Sequence, residues 1–164
     1  MAKTYEPIAT TTLGSAAASY TFSSIPSTYT DLRLVINGLQ TGTSANPYIT
    51  LNSDTGTNYS ITVLSGNGTT ATSSRGTSAA FIYCGITAEV RNTMIFMSTT
   101  DLMNYSNTTT YKTVLTRAAN ASYGTDAIVG LWRNTAAITS ITVDLDAGNW
   151  NTGSTFTLYG IKAA

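Results

Sequence analysis

Apolar and polar residues alternate with a period of two along most of this chain, the spacing of strands with one buried face. The clearest case lies near the end. Ile141, Val143 and Leu145 alternate with Thr142, Asp144 and Asp146, and Phe156 and Leu158 alternate with Thr155, Thr157 and Tyr159. Between them Asp146 to Gly153 is a dense cluster of turn residues. The pattern predicts a hairpin that closes the core.

Upstream, Leu32, Leu34 and Ile36 against Arg33, Val35 and Asn37 predict a strand over Asp31 to Gly38. Tyr48 to Asn52 and Tyr59 to Leu64 follow as strands, with Ile49, Leu51, Ile61 and Val63 inward. Tyr111 to Ala118 is another. Tyr5 to Leu13 and Tyr20 to Ser23 predict an opening hairpin, and Pro7 places its first strand at a sheet edge because proline has no N–H to give. Ser65 to Ser78 has almost no apolar residue and predicts a long contact or outward-facing loop. Leu102 to Thr110 is a polar loop.

Three runs break the alternation: Ala79 to Ile86, Met94 to Met97, and Ala127 to Arg133. An antiparallel sandwich strand needs only one apolar face. The second face requires cover from loops or from another subunit, so these runs predict an oligomer. No stretch has a helical period. Roughly nine or ten short strands separated by turn signals predict an all-β fold, an antiparallel β-sandwich of the jelly-roll type, in a single domain over residues 1–164.

Composition narrows the chemistry. Charged residues are 10% of the chain, hydrophobic residues 42%, and basic and acidic residues balance. Ser and Thr together make up about 30%, and the hydroxyl-rich surface this implies is neutral. With no net charge and scattered basic residues, nothing drives counterion release from phosphates or attraction to an anionic bilayer, so neither nucleic acid nor membrane is expected as a partner. The first residues lack the apolar core of a secretory signal, which predicts synthesis in a cytoplasm. Cys84 is the only cysteine, set in an apolar run, and reads as a small buried hydrophobe.

Histidine is absent, which removes the commonest general base, and no nucleophile elbow, phosphate loop or metal-spaced ligand set occurs. The chain is therefore expected not to be an enzyme and to need neither cofactor nor metal. Asp144 and Asp146, followed by Gly148 and Asn149, form a carboxylate pair that can in principle serve acid–base chemistry or a cation, but the closing glutamate of a calcium loop is missing. Asn52, Asp54, Gly56 and Asn58 offer oxygen ligands that any turn also uses. Asn58, Asn67, Asn104, Asn107 and Asn120 begin glycosylation triplets that abundant Ser and Thr produce by chance. Trp132, Trp150, Tyr123 and Tyr159 are candidates for an aromatic sugar platform, Trp150 foremost because it sits in a turn.

The two ends of the chain carry a resemblance. Tyr5-Glu-Pro-Ile-Ala-Thr-Thr-Thr and Tyr20-Thr-Phe-Ser-Ser-Ile-Pro-Ser-Thr-Tyr-Thr-Asp-Leu open it. Gly130-Leu-Trp-Arg-Asn-Thr-Ala-Ala-Ile-Thr-Ser-Ile-Thr-Val and Gly153-Ser-Thr-Phe-Thr-Leu-Tyr-Gly-Ile-Lys close it. Together they resemble short β-rich virion structural proteins of tailed double-stranded DNA phages, found among marine and cyanobacterial phages. The resemblance implies a capsid decoration (cement) protein or a fibre-associated β-domain, often trimeric, with no active site. The leading expectation is a homotrimer that binds and stabilises the shell of the major capsid protein on the virion surface. The rival is a tail or fibre module that recognises host-surface glycan.

Overall fold

The computed structural model describes residues 4–162. In chain order they form β1 (Tyr5–Thr12), β2 (Ser19–Phe22), β3 (Asp31–Gly38), β4 (Ser44–Ala45), β5 (Pro47–Leu51), β6 (Tyr59–Gly66), β7 (Ala71–Ala79), β8 (Ile82–Tyr83), β9 (Val90–Arg91), β10 (Phe96–Leu102), β11 (Lys112–Asn120), β12 (Gly124–Trp132), β13 (Ile141–Leu145) and β14 (Thr155–Ile161). The fold is all-β and antiparallel. The described residues form fourteen strands where the periodicity predicts nine or ten, because two-residue strands such as β4, β8 and β9 are too short to show a period.

An eight-stranded sheet runs β1-β14-β3-β10-β11-β12-β6-β7. A four-stranded sheet, β2-β13-β5-β8, lies against it, and β4 pairs with β9. The pairing is nested: β1 with β14, β2 with β13, β3 with β10, β4 with β9, β5 with β8 and β6 with β7. The chain thus resembles one long hairpin folded over itself, with the β11–β12 hairpin inserted between β10 and β6.

The core fills the space between the two sheets. Leu32, Leu34 and Ile36 of β3 and Phe156 and Leu158 of β14 face Ile49 and Leu51 of β5 and Ile141 and Val143 of β13, all fully buried. The Tyr20 and Phe156 rings stack across the two sheets at 5.5 Å. Each such aliphatic or aromatic side chain contributes roughly 1.5–3 kcal/mol when buried.

Several sequence expectations are corrected. The closing hairpin does not form: β13 belongs to the small sheet and β14 to the large one. Their apolar residues meet across the core, and the turn cluster between them crosses from one layer to the other. The opening hairpin fails for the same reason, since β1 pairs with β14 and β2 with β13. Alternation reveals that two segments are strands; it is silent on which sheet each one joins.

Ser65 to Ser78 is not a loop. It is most of a hairpin arm, β6 and β7, closed by a short turn in which Asn67 Oδ1 accepts from Thr69 N and Thr70 N at 3.0 and 2.7 Å. Nearly every β7 side chain is exposed, so no buried face imposed a period. Ala79 to Ile86 is not one doubly covered strand either. It passes from the end of β7 to β8, leaving the large sheet for the edge of the small one.

Candidate functional site

The candidate residues read from the sequence scatter, and most are structural. Asn52 Oδ1 accepts from Thr139 N and Ser140 N, and its Nδ2 donates to Ala137 O at 2.7 Å. Asp54 accepts from Gly56 N, Asn58 Nδ2 and Trp132 Nε1. That turn is closed by its own side chains. Cys84 is fully buried, and burial pushes its thiol up to about 12 despite hydrogen bonds to Thr100 and Thr116. No group of three or more potential metal ligands occurs among the described residues.

The aromatic platform is not where the turn placed it. Trp150 is wholly buried, edge-on to Phe156 at 5.1 Å and bridged by its backbone to Ala17 and Gln40. A carbohydrate contact through Trp150 is thereby excluded. Trp132 is buried against Tyr59. Tyr123 lies under the Arg91 guanidinium, 3.8 Å from its ring centroid, and Tyr159 sits on the outer side of β14 opposite Arg33. These four rings form no common surface.

Two outer faces remain, on opposite sides of the sandwich. The first is the outer face of the eight-stranded sheet. Here Leu115 of β11 lies opposite Val129 of β12, Leu64 of β6 opposite Ala127, and Met97 of β10 opposite Ala119. Leu64, Met97, Leu115 and Val129 are 59, 55, 42 and 48% exposed, and Ile95 beside them is 65% exposed. Alternation normally puts polar side chains on such a face. Two of the doubly apolar runs end here, so the apolar surplus read from the sequence is a real exposed patch.

Charge borders the patch unevenly. Arg33 Nε and Nη2 grip both oxygens of Asp101 at 2.6 and 3.0 Å. This ion pair raises the Arg33 pKa, against the opposing effect of burial. Arg117, between Thr99 and Ala127, and Arg75, opposite Thr62, form no ion pair among the described residues. At the margins of this sheet, β7 is an edge strand with no proline along it and a register shift opposite Tyr59 and Ile61, and β1, the opposite edge, carries Pro7 and a shift between Pro7 and Ala9.

The second face is the outer side of the four-stranded sheet, where the predicted carboxylate pair lies. Asp144 stands beside Tyr48, and Tyr48 beside Tyr83, in one cross-strand row. Phe81 stacks on Tyr48 at 4.2 Å and meets Tyr83 edge-on at 4.9 Å. Asp146 Oδ1 accepts from Asn46 N and Oδ2 from Asn46 Nδ2, both at 2.8 Å. Burial, and then the Asp144 carboxylate, raise the pKa of the Tyr48 hydroxyl; burial and Asp146 do the same to Tyr83. Sequence reasoning found the two aspartates and missed the rings, because Phe81 and Tyr83 sit in a run read as one buried strand.

No protein-family model matches the chain, and no curated protein matches it in sequence. Among solved structures, an exo-inulinase from Aspergillus awamori is similar in fold, with a TM-score of 0.51 and 10% identity over 96% of this chain. The match takes in 29% of that enzyme's length. An alginate lyase bound to an alginate trisaccharide (TM-score 0.37, 4% identity, 93% of this chain and 80% of that one) is more distant. So are the LG4-5 domains of the mouse laminin α1 chain (TM-score 0.31, 14% identity, 91% of this chain and 40% of that one). The first likeness is one of fold alone, and the other two are too weak to carry an argument.

Proposed function

We propose that this chain is a non-enzymatic virion structural protein of the capsid decoration type, a jelly roll that docks on the major capsid protein through the outer face of its eight-stranded sheet. The observation that carries the docking face is the exposed apolar cluster of Leu64, Met97, Leu115 and Val129. These side chains are about half exposed, so covering them on docking contributes roughly 3–6 kcal/mol in sum before the cost of association. Repetition of the contact over a shell multiplies its effect. The nested strand pairing supports the jelly-roll reading. The resemblance of the two chain ends supplies the kind of particle.

Arg117 and Arg75 support the shell rather than a second copy as the occupant of this face. A second copy laid face to face would bring the same unpaired guanidiniums together, whereas a shell offering carboxylates beside apolar residues would pair them. The contact between copies in a homotrimer is better assigned to the free edge of β7.

The test uses shells assembled without this protein. Added chain is expected to bind them and to raise their resistance to heat, and Val129→Arg or Leu64→Arg is expected to fold normally and not bind. Antibody–gold labelling spread over the head of intact particles agrees with this reading; labelling confined to the tail, or shells equally stable with and without the chain, overturns it.

A further inference from the structure

The outer face of the four-stranded sheet, opposite the docking face, gathers aromatic and acidic side chains at the surface. Phe81, Tyr48 and Tyr83 are all partly exposed, and Asp144 and Asp146 border them. Neither aspartate forms an ion pair among the described residues. We propose that Asn46, Tyr48, Phe81, Tyr83, Asp144 and Asp146 form a binding site for a neutral saccharide.

The chemistry of the six side chains selects that ligand. A sugar ring has one apolar C–H face and a rim of hydroxyl groups. Phe81 and the tyrosines offer aromatic surface to the C–H face. The carboxylates offer acceptors to the rim, and charge-assisted hydrogen bonds from hydroxyl groups are among the stronger ones.

Those acceptors are fixed in place. Both Asp146 oxygens are held by Asn46, and Asp144 Oδ1 accepts from Leu145 N at 2.7 Å. Preorganised groups cost little to order on binding. Both phenols remain protonated in neutral solution; the Tyr48 hydroxyl interacts with Asp144 and keeps its oxygen as an acceptor, while the Tyr83 hydroxyl can give and accept hydrogen bonds. Charge favours neutral sugars over acidic ones: a uronate or a sulfated residue would meet two carboxylates with no cation between them.

The geometry also favours a saccharide over a cationic peptide. Each carboxylate already accepts hydrogen bonds from fixed protein donors, and both stand at the surface, where a lone ammonium gains little from them. The neighbouring positions on this face continue as hydroxyls, with Thr21 and Thr142 Oγ1 atoms 2.9 Å apart.

This site is independent of the docking face and is read on the isolated chain. The full-length protein is applied to a glycan array holding neutral, uronate and sialylated sugars, and a retained neutral oligosaccharide is titrated by ligand-observed NMR. The expected result is retention of one or more neutral glycans, no retention of uronates, and at least a tenfold loss of affinity in Phe81→Ala and in Asp146→Asn, with both variants folded by circular dichroism at the assay temperature. Phe81→Leu separates packing from stacking: it keeps the apolar volume and is expected to lose affinity as well. An array with no neutral glycan retained overturns the site. So does binding that survives both substitutions, or preferential binding of a polylysine probe that neutral sugars do not compete away. None of these failures bears on shell docking, which is measured with particles.

Discussion

The indole nitrogen of Trp132 donates to the Asp54 carboxylate across 2.7 Å, joining the end of β12 to the turn between β5 and β6. That hydrogen bond is the largest influence holding the Asp54 pKa below its ordinary 3.8, with Asn58 and Gly56 adding to it and burial opposing it. A carboxylate with a depressed folded-state pKa contributes stability that is complete above the unfolded value and disappears as the pH falls through the folded one. Trp132→Phe is expected to cost roughly 1.5–3 kcal/mol near neutrality, the range for a hydrogen bond to a charged group. Urea melts of both proteins at pH 7 and pH 2.5 check the sign: the gap between them should narrow at the lower pH.

Gly160 has no room for a side chain. A Cβ there would stand 2.3 Å from Tyr29 Cγ and within 2.5 Å of its two ring neighbours. Tyr29 cannot swing aside freely, because its backbone N–H donates to the Tyr105 hydroxyl, its own hydroxyl donates to Glu6, and Lys162 lies over its ring. Gly160→Ala should therefore cost about 1–3 kcal/mol by overpacking. Paired with Tyr29→Ala it should cost much less than the two changes summed, since one removes the clash the other creates. Thermal melts of the two single variants and the double variant decide it.

How far the sequence carries depends on whether a residue's neighbours lie along the chain or across it. β3 was readable because Leu32, Leu34 and Ile36 bury one face in strict alternation. β7 was not, because Ser and Thr suit a strand but leave no period when both faces are wet. Sheet membership was hidden for β13 and β14: the contact of Tyr20 with Phe156, which shows the two layers meeting, spans most of the chain. The aspartates of the proposed sugar site were visible as a pair, but the partners that give them meaning come from β5 and from the segment around β8. Lys112 and Asp126 were legible in principle. Each occupies an inward register position among Val114, Thr116 and Ile128, and an inward charge in a strand signals a polar partner under the sheet.

Lys112 shows what that partner can be. Its amine is buried and donates to the carbonyl oxygens of Thr110 and Thr135, at 2.9 and 3.0 Å, with no carboxylate among these contacts. Burial lowers its pKa. The unfolded chain then holds this proton to higher pH than the folded one, so this residue's contribution to stability rises as the pH climbs through the folded value toward 10.5. Lys112→Met should flatten that rise in melts followed from pH 8 to pH 10.5.

Cys84 tests the burial of the core centre without altering it. A thiol pushed up to about 12, from an ordinary 9.0, is left with roughly a thousandfold less thiolate at pH 8. Burial also blocks reagents. The native protein is expected to be inert to a disulfide-exchange reagent over the minutes in which the denatured chain reacts fully. Rapid native labelling would mean that the sheets part locally around β8.

Asp126 anchors the segment that follows the rings of the proposed sugar site. Its Oδ2 accepts from Ile86 N at 2.8 Å and Ala88 N at 2.9 Å, and its Oδ1 from Thr87 N at 3.3 Å and Ser65 Oγ at 2.5 Å. One buried carboxylate thereby fixes the segment that follows β8 onto β12. Asp126→Ala strands those donors, and each buried donor without a partner costs about 1–3 kcal/mol, so a loss of about 3 kcal/mol or more is expected. Asp126→Asn keeps one acceptor oxygen and should cost less. Hydrogen exchange locates the damage: in Asp126→Asn the amides of Ile86 and Ala88 should lose protection first, while those of β3, an interior strand of the large sheet, stay protected. Equal loss in β3 would mean that Asp126 supports the whole sandwich rather than the segment after β8.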